Sequence, residues 1–250
     1  MPRYCANLSW LFTELPFIER FAAARDAGFD AVEVLFPYEG NVQDIVNELV
    51  RYDLTMALIN CPPPNYTGGK PGWAAVPELR ERFRRDFRRA LRYARTLRAG
   101  HLHIMAGVAE GAAAKACFIS NLRWAAAEAP NQSLTIEPIS PQAMAGYFLN
   151  DFDLARDIIT TVGAPNLRLQ FDAFHAANIT GDVMGTWADM ADLVAHVQVA
   201  QPPERSEPDK GNVDYPAFFA RLDSDGYDGW ISGEYKPAAA TTDGLGWMQE

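Results

Sequence analysis

The chain reads as an α/β protein, a single closed (β/α)8 barrel over residues 1–250. Short apolar runs alternate with helix-period segments from end to end, and there are eight such units. Eight in 250 residues gives about 31 each, the size of one βαβ step. Glycines also fall where helices should stop before the next strand, at Gly28, Gly163, Gly226 and Gly229. Eight-fold alternation favours a closed barrel over an open doubly wound sheet.

The elements follow in order. YCANL reads as the first strand, and PFIERFAAARDAGF keeps Phe17, Ile18, Phe21, Ala22 and Ala24 on one helical face. AVEVLF leads into NVQDIVNELVRYD, and TMALINC into a long helix from Leu79 to Ala99. HLHIMAG, LTIEP, LRLQFD and VAHVQVA each precede a further helical segment, and WISGEY is the eighth strand. TDGLGWMQE leaves room for about two turns of a last helix.

Composition narrows the function. With 48% hydrophobic and 12% aromatic residues the chain can bury a large core, which argues against disorder. A formal charge of −10 argues against a protein that neutralises nucleic-acid phosphates. Cys5, Cys61 and Cys117 are odd in number and scattered, the usage of a reducing cytoplasm. The start lacks a signal-peptide pattern, and no run approaches a bilayer-spanning length. The expectation is a cytoplasmic protein with no membrane or nucleic-acid partner; assembly into a homo-oligomer stays open.

Two stretches could suggest other partners. Nine arginines from Arg80 to Arg98 resemble a nucleic-acid patch, but Leu79, Phe83, Phe87, Leu91 and Ala94 recur at spacings of four and three. The arginines therefore belong to the outer face of an amphipathic helix. TGGKPG at 67–72 hints at a phosphate loop, yet Pro64 and Pro71 occupy positions that motif gives to Gly and Ser/Thr.

Barrel chemistry collects at the C-terminal strand ends. Strand five ends with Glu137, strand six with Asp172, strand seven offers Gln198 and strand eight Glu234. Separations of 35, 26 and 36 (172 − 137, 198 − 172, 234 − 198) are about one unit each, so neighbouring strands aim four oxygen-bearing side chains at one point. Each acid alone would be read as a helix N-cap. Together, three converging carboxylates repel unless a hard cation such as Mg²⁺ or Mn²⁺ joins them. His175 is placed to face a substrate; His101, His103 and His196 read as structural. Arg205, after strand seven, has the fork to clamp a carboxylate, with Lys236 and Lys70 as further cations.

ANLSWLFTELPFIERF, VEVLFPYE, IEPI, QFDAFH, HVQVAQPPERSEPDKGNVDY and GYDGWISGEYKP together resemble the hydroxypyruvate isomerase family of xylose-isomerase-like barrels. The resemblance covers nearly the whole chain. It implies Glu137, Asp172, Gln198 and Glu234 as metal ligands, Glu137 and Glu234 as the acid/base pair, and His175 and Arg205 as substrate contacts. It also implies isomerisation of a small hydroxy-keto acid through an enediolate, hydroxypyruvate to tartronate semialdehyde or a close analogue. A 2-oxo-tetronate-type isomerase, a ketose 3-epimerase and an idle metabolite-binding barrel are the alternatives. The loop after strand five departs from the family's pattern: Ser140-Pro141-Gln142-Ala143 replaces a polar run of the Asn-x-x-Asp kind. Shorter side chains there, with Trp10 and Trp73 available as walls, imply a substrate longer than hydroxypyruvate.

Overall fold

The structure is a computed structural model that describes residues 2–61 and 72–249. Lys70, Pro71 and the TGGKP stretch lie outside the described residues. Within them, eight parallel strands close into a barrel in chain order: β1 (Arg3–Asn7), β2 (Ala31–Val34), β3 (Thr55–Cys61), β4 (His101–Ile104), β5 (Ser133–Ile136), β6 (Leu167–Asp172), β7 (Val194–Val199) and β8 (Trp230–Gly233). Strand β8 returns to β1 with Cys5 opposite Ser232, so the expected closed barrel is what forms.

Helices α1 (Glu19–Asp26), α2 (Val42–Arg51), α3 (Arg80–Leu97), α4 (Gly111–Glu128) and α5 (Phe152–Val162) follow the first five strands. Two short helices, α6 (Ala173–Thr180) and α7 (Val183–Met190), follow β6, and α8 (Tyr215–Ser224) follows β7. Asp151, Asp182 and Asp214 cap α5, α7 and α8 through their side chains, which fixes those acids as structural. Gly163 ends α5 at φ 66°, the left-handed conformation expected of a C-terminal glycine.

Differences from the sequence pattern are local. Phe17 and Ile18 sit in turns ahead of α1 rather than in its first turn. The last segment, Thr241–Gln249, is a run of 3-10 turns rather than an α-helix, interrupted at Gly244. It is tied back to the barrel: Phe12 N–H donates to Thr241 Oγ1 at 2.6 Å, and Thr241 N–H to Glu14 Oε1 at 2.9 Å. The arginine-rich helix behaves as its spacing predicts. Phe83, Phe87, Ala90, Leu91, Ala94 and Leu97 of α3 are buried, and Arg82 lies 3.9 Å over the Trp73 ring. Arg88 pairs with Glu128 at 2.9 Å. No helix of the described residues is long and apolar enough to cross a membrane.

The core lies between sheet and helices, where Phe171, Trp187 and Phe218 pack ring to ring. The barrel interior is different. Asn7, Glu33, Asn60, His103, Thr135, Gln170, His196 and Gln198 are all buried there, in place of the branched apolar layers usual for this fold. Alternation along each strand does this: Thr135 and Glu137, Gln170 and Asp172, His196 and Gln198 are two apart and share a face.

Near the barrel mouth, the loop before α3 crosses the loop after β4 so closely that Gly72 and Gly107 touch backbone to backbone. A Cβ on Gly107 would meet Gly72 O at 2.3 Å, and its φ is 91°. Gly107→Ala is therefore expected to destabilise the fold by about 2 kcal/mol or more, from strain and clash together. Thermal unfolding should show a fall of roughly 4 °C or more for a chain of this size.

Candidate active site

Glu137 follows β5 directly, with Pro138 turning the chain away. Asp172 ends β6 and also caps α6: its Oδ1 accepts from Phe174 N–H at 2.8 Å, leaving Oδ2 to face the barrel mouth. One carboxylate thus serves as helix cap and site group at once. Gln198 and Glu234 come from β7 and the end of β8, and all four are buried.

Glu137, Asp172 and His175 place one ligand-capable atom each within 4.8 Å of one another, a group able to hold a metal ion. His175 Nε2 lies 3.5 Å from Asp172 Oδ2 and 3.9 Å from Glu137 Oε1. Ser140 fixes its tautomer. The Ser140 backbone N–H can only donate, and it points at Nδ1 at 3.3 Å, so Nδ1 accepts and Nε2 carries the hydrogen. Burial, only partly offset by Asp172, lowers the His175 pKa to about 4. A neutral ring with Nε2–H aimed at the acids is a hydrogen-bond donor, which suits substrate contact better than metal ligation.

Arg205 enters from the loop after β7 with φ 58°. Its guanidinium lies between the rings of Trp10 and Phe174, at 4.7 and 4.9 Å. Nη2 donates to Asp172 Oδ2 at 3.1 Å and to Glu234 Oε1 at 2.6 Å, and Nε donates to the Glu234 carbonyl at 3.1 Å. The expected clamp is thus already engaged with protein carboxylates along one edge. Burial alone would lower its pKa, but Glu234, Asp172 and Glu137 outweigh that and hold it above the ordinary value.

Gln198 lies at the same place with an unexpected orientation. Its Nε2 donates to Glu33 Oε1 at 2.7 Å and to Glu234 Oε2, while its Oε1 accepts from Gln170 Nε2 at 2.7 Å. The amide oxygen is therefore held by Gln170 in the barrel interior. Lys236 is exposed and contacts Arg205 through its backbone, Lys236 N–H donating to Arg205 O at 2.8 Å. Its side chain borders a shallow cleft with Trp10 and Glu14. Trp73 is buried, and its indole N–H donates to Asp86 at 3.1 Å on α3. Gln142 and Ala143 are exposed on the loop after β5, while Ser140 is buried against His175.

The pattern passed over one acid. Glu33, in the middle of AVEVLF, is wholly buried and accepts from Asn7, Gln198 and His196. The signal was the one that identifies Glu137, a carboxylate inside an apolar strand. His103 also lies nearer the chemistry than expected, its Nε2 3.7 Å from Glu137 Oε2.

Four buried carboxylates therefore share one barrel end. Burial first, then repulsion from Glu234 and Asp172, pushes Glu137 well above the usual carboxylate range. Burial raises Glu234 to about 8; Arg205 works against the rise, and Glu33 and Asp172 add to it. Acids so placed hold protons or a cation.

A buried multi-carboxylate site at the C-terminal mouth of such a barrel defines an enzyme class, and the comparisons agree. The family model for the xylose isomerase-like TIM barrel matches residues 21–250, and the chain belongs to that family. It is 44% identical to the 2-oxo-tetronate isomerase of Cupriavidus necator, over 100% of this chain and 98% of that protein. It is 34% identical to the hydroxypyruvate isomerase of Escherichia coli K12, over 99% and 98%. A crystal structure titled AP endonuclease, family 2, from Brucella melitensis superposes with a TM-score of 0.96 at 40% identity, over 100% and 98%. The chain is an isomerase by these full-length relationships.

A pH dependence follows. Glu234 has a folded-state pKa near 8 against an ordinary 4.5. Its contribution to stability is whole below about 4.5 and is lost as the pH rises through about 8. Divalent cations bind the ionised acids. The rise in melting temperature on adding Mn²⁺ should therefore be larger at about pH 8.5 than at about pH 5.5. Thermal unfolding with and without Mn²⁺ across that range checks it; an equal or larger gain at the acid end contradicts it.

Proposed function

We propose that the chain interconverts a four-carbon 2-oxo-3-hydroxy acid and its 3-oxo-2-hydroxy isomer, with one Mg²⁺ or Mn²⁺ per chain. The observation that carries this is the convergence of Glu137, Asp172 and Glu234, buried together with two of their pKa values raised. The 44% relative named 2-oxo-tetronate isomerase supports the four-carbon acid ahead of hydroxypyruvate. The donor set suits a hard cation: carboxylate oxygens from neighbouring strands and no cysteine. Glu137, Asp172 and Glu234 would hold it. Gln198 would join as a ligand only if its amide turned to present Oε1.

A divalent cation held by Glu137, Asp172 and Glu234 would supply Lewis acidity that makes the substrate C–H more acidic. The chain's own groups do the rest. One glutamate of the pair Glu137 and Glu234 takes the proton from C3, and the electrons of that bond form the C2–C3 double bond. The other returns a proton to C2, and the C3 hydroxyl proton passes to the C2 oxygen, leaving a hydroxyl at C2 and the carbonyl at C3. His175 Nε2–H donates to a substrate oxygen, its direction set by Ser140. Arg205 supplies positive charge for the substrate carboxylate, held in place by cation–π contact with Trp10 and Phe174. Lys236 adds charge at the rim.

Kinetics on three-, four- and five-carbon acids beside neutral ketoses test the reading. The four-carbon acid should have the highest kcat/KM, with measurable hydroxypyruvate turnover and deuterium exchange from solvent into the reacting C–H. A preference for hydroxypyruvate above about tenfold, more than one extra carbon needs, would defeat the longer substrate. A neutral ketose ahead of every acid would defeat the carboxylate clamp and favour epimerase chemistry. Glu137→Gln and Glu234→Gln should each lose about 10²-fold or more in kcat. Both variants turning over at near parent rates would leave the two-glutamate mechanism wrong. Asp172→Ala should weaken Mn²⁺ binding, and unchanged binding removes Asp172 from the ligand set.

A further inference from the structure

The loop after β1 holds a backbone strain that the chemistry above does not use. Phe12 is buried and sits at φ 58°, in the left-handed region that a bulky side chain rarely adopts. Such a conformation persists only where its surroundings hold it. Here the holder is Thr241, 229 residues away in the chain and wholly buried. The Phe12 N–H can only donate, so Thr241 Oγ1 accepts at 2.6 Å and sends its own hydrogen to Glu14 Oε2 at 3.3 Å. Glu14 Oε1 also accepts from the Thr241 N–H at 2.9 Å. One threonine is thus bonded to the loop at three atoms, all within two residues of the strained position.

Trp10 stands between two fixed points of that loop. Its N–H and that of Leu11 donate to Asn7 O at 3.0 and 2.8 Å, and Phe12 follows directly. Its ring meets the Arg205 guanidinium at 4.7 Å. Arg205 is itself a non-glycine residue at φ 58°, and Lys236 N–H holds its carbonyl at 2.8 Å. Two residues on, Glu207 Oε1 accepts from Ala238 N–H at 2.8 Å. The stretch after β8 therefore holds both halves of the Trp10–Arg205 contact: Lys236 and Ala238 grip the arginine loop, and Thr241 grips the tryptophan loop.

We propose that Thr241 is a positioning residue: by fixing Phe12 in its left-handed turn it sets Trp10 against Arg205, and so sets where the guanidinium meets a substrate carboxylate. The proposal rests on the reading of Arg205 as the substrate's anchor, and it gives Thr241 no contact with substrate or cation. Thr241→Val keeps the shape of the side chain but leaves the buried Phe12 N–H without an acceptor. Residue 12 then relaxes toward negative φ, and Trp10 moves with it.

The test uses the full-length enzyme, with Trp10→Ala as the reference for a lost ring. Trp10→Ala should raise KM for the four-carbon acid about three- to tenfold, the range of one cation–π contact, with kcat within about twofold. Thr241→Val should raise KM in the same range, and Thr241→Ser, which keeps the hydroxyl, should restore the parent value. Hydrogen exchange reads the loop without turnover: in Thr241→Val the amides of residues 8–15 should exchange about tenfold faster, while those of β4, β5 and β6 keep the parent rates. A purely structural role would lower the melting temperature and leave KM alone.

A double-mutant cycle supplies the second criterion. If Thr241 acts through Trp10, adding Thr241→Val to Trp10→Ala raises KM no further; additive losses overturn the proposal. Should Thr241→Val not fold, Glu14→Ala, at an exposed position, removes both of the carboxylate's bonds to Thr241 and is scored by the same measurements. Parent exchange rates over residues 8–15 overturn the role of Thr241. So does a KM within about twofold of the parent while Trp10→Ala raises it. If Trp10→Ala itself leaves KM unchanged, the reading of Arg205 as anchor fails, and this proposal with it.

Discussion

Burying Glu33, Glu137, Asp172 and Glu234 at one end of a barrel is the constraint on which the rest of this structure depends. Two unit charges 4 Å apart interact by about 4 kcal/mol at the effective dielectric near protein sites. Several such repulsions would unfold a domain of ordinary stability if nothing answered them. The chain answers in three ways. Arg205 bridges Asp172 and Glu234, donors surround Glu33, and protonation is favoured at Glu137 and Glu234. None of these neutralises the set completely, and a divalent cation is the natural fourth answer.

The same constraint explains why the barrel interior is polar. A branched apolar filling would leave the inner faces of the acids without partners, at a cost of several kcal/mol for an ionised group. Asn7, Thr135, Gln170, His196 and Gln198 supply partners instead, as neighbours in the parallel register: Asn7 beside Glu33, Gln170 beside His196, Asp172 beside Gln198. Aromatic residues then carry the cohesion outside the sheet, where Phe171, Trp187 and Phe218 meet. The catalytic demand at the mouth is passed down through hydrogen bonds as a demand on the barrel's interior packing.

Much of this was legible in the sequence. The eight strands could be read because parallel strands buried on both faces form short apolar runs. Glu137, Asp172 and Glu234 stood out because each interrupts or ends such a run. Glu33 obeys the same rule and was missed, because it sits inside AVEVLF rather than at its end, where barrel chemistry is expected. The orientation of Gln198 was not legible at all. Which end of an amide faces a carboxylate depends on Gln170 and Glu33, 28 and 165 residues away in the chain. Lys236 was named for its charge, but exposure at the rim is set by the loop and not by residue type.

Arg205 shows how one side chain can serve two demands that pull against each other. With Nη2 and Nε committed to Asp172 and Glu234, it offers a substrate less than the full two-pronged fork its sequence position suggested. Cation–π contacts with Trp10 and Phe174, at 4.7 and 4.9 Å, hold it at that place. On the function proposed above, the same guanidinium is both the counter-charge of Asp172 and Glu234 and the anchor of a substrate carboxylate, so the donors it offers a substrate are those its protein partners leave over.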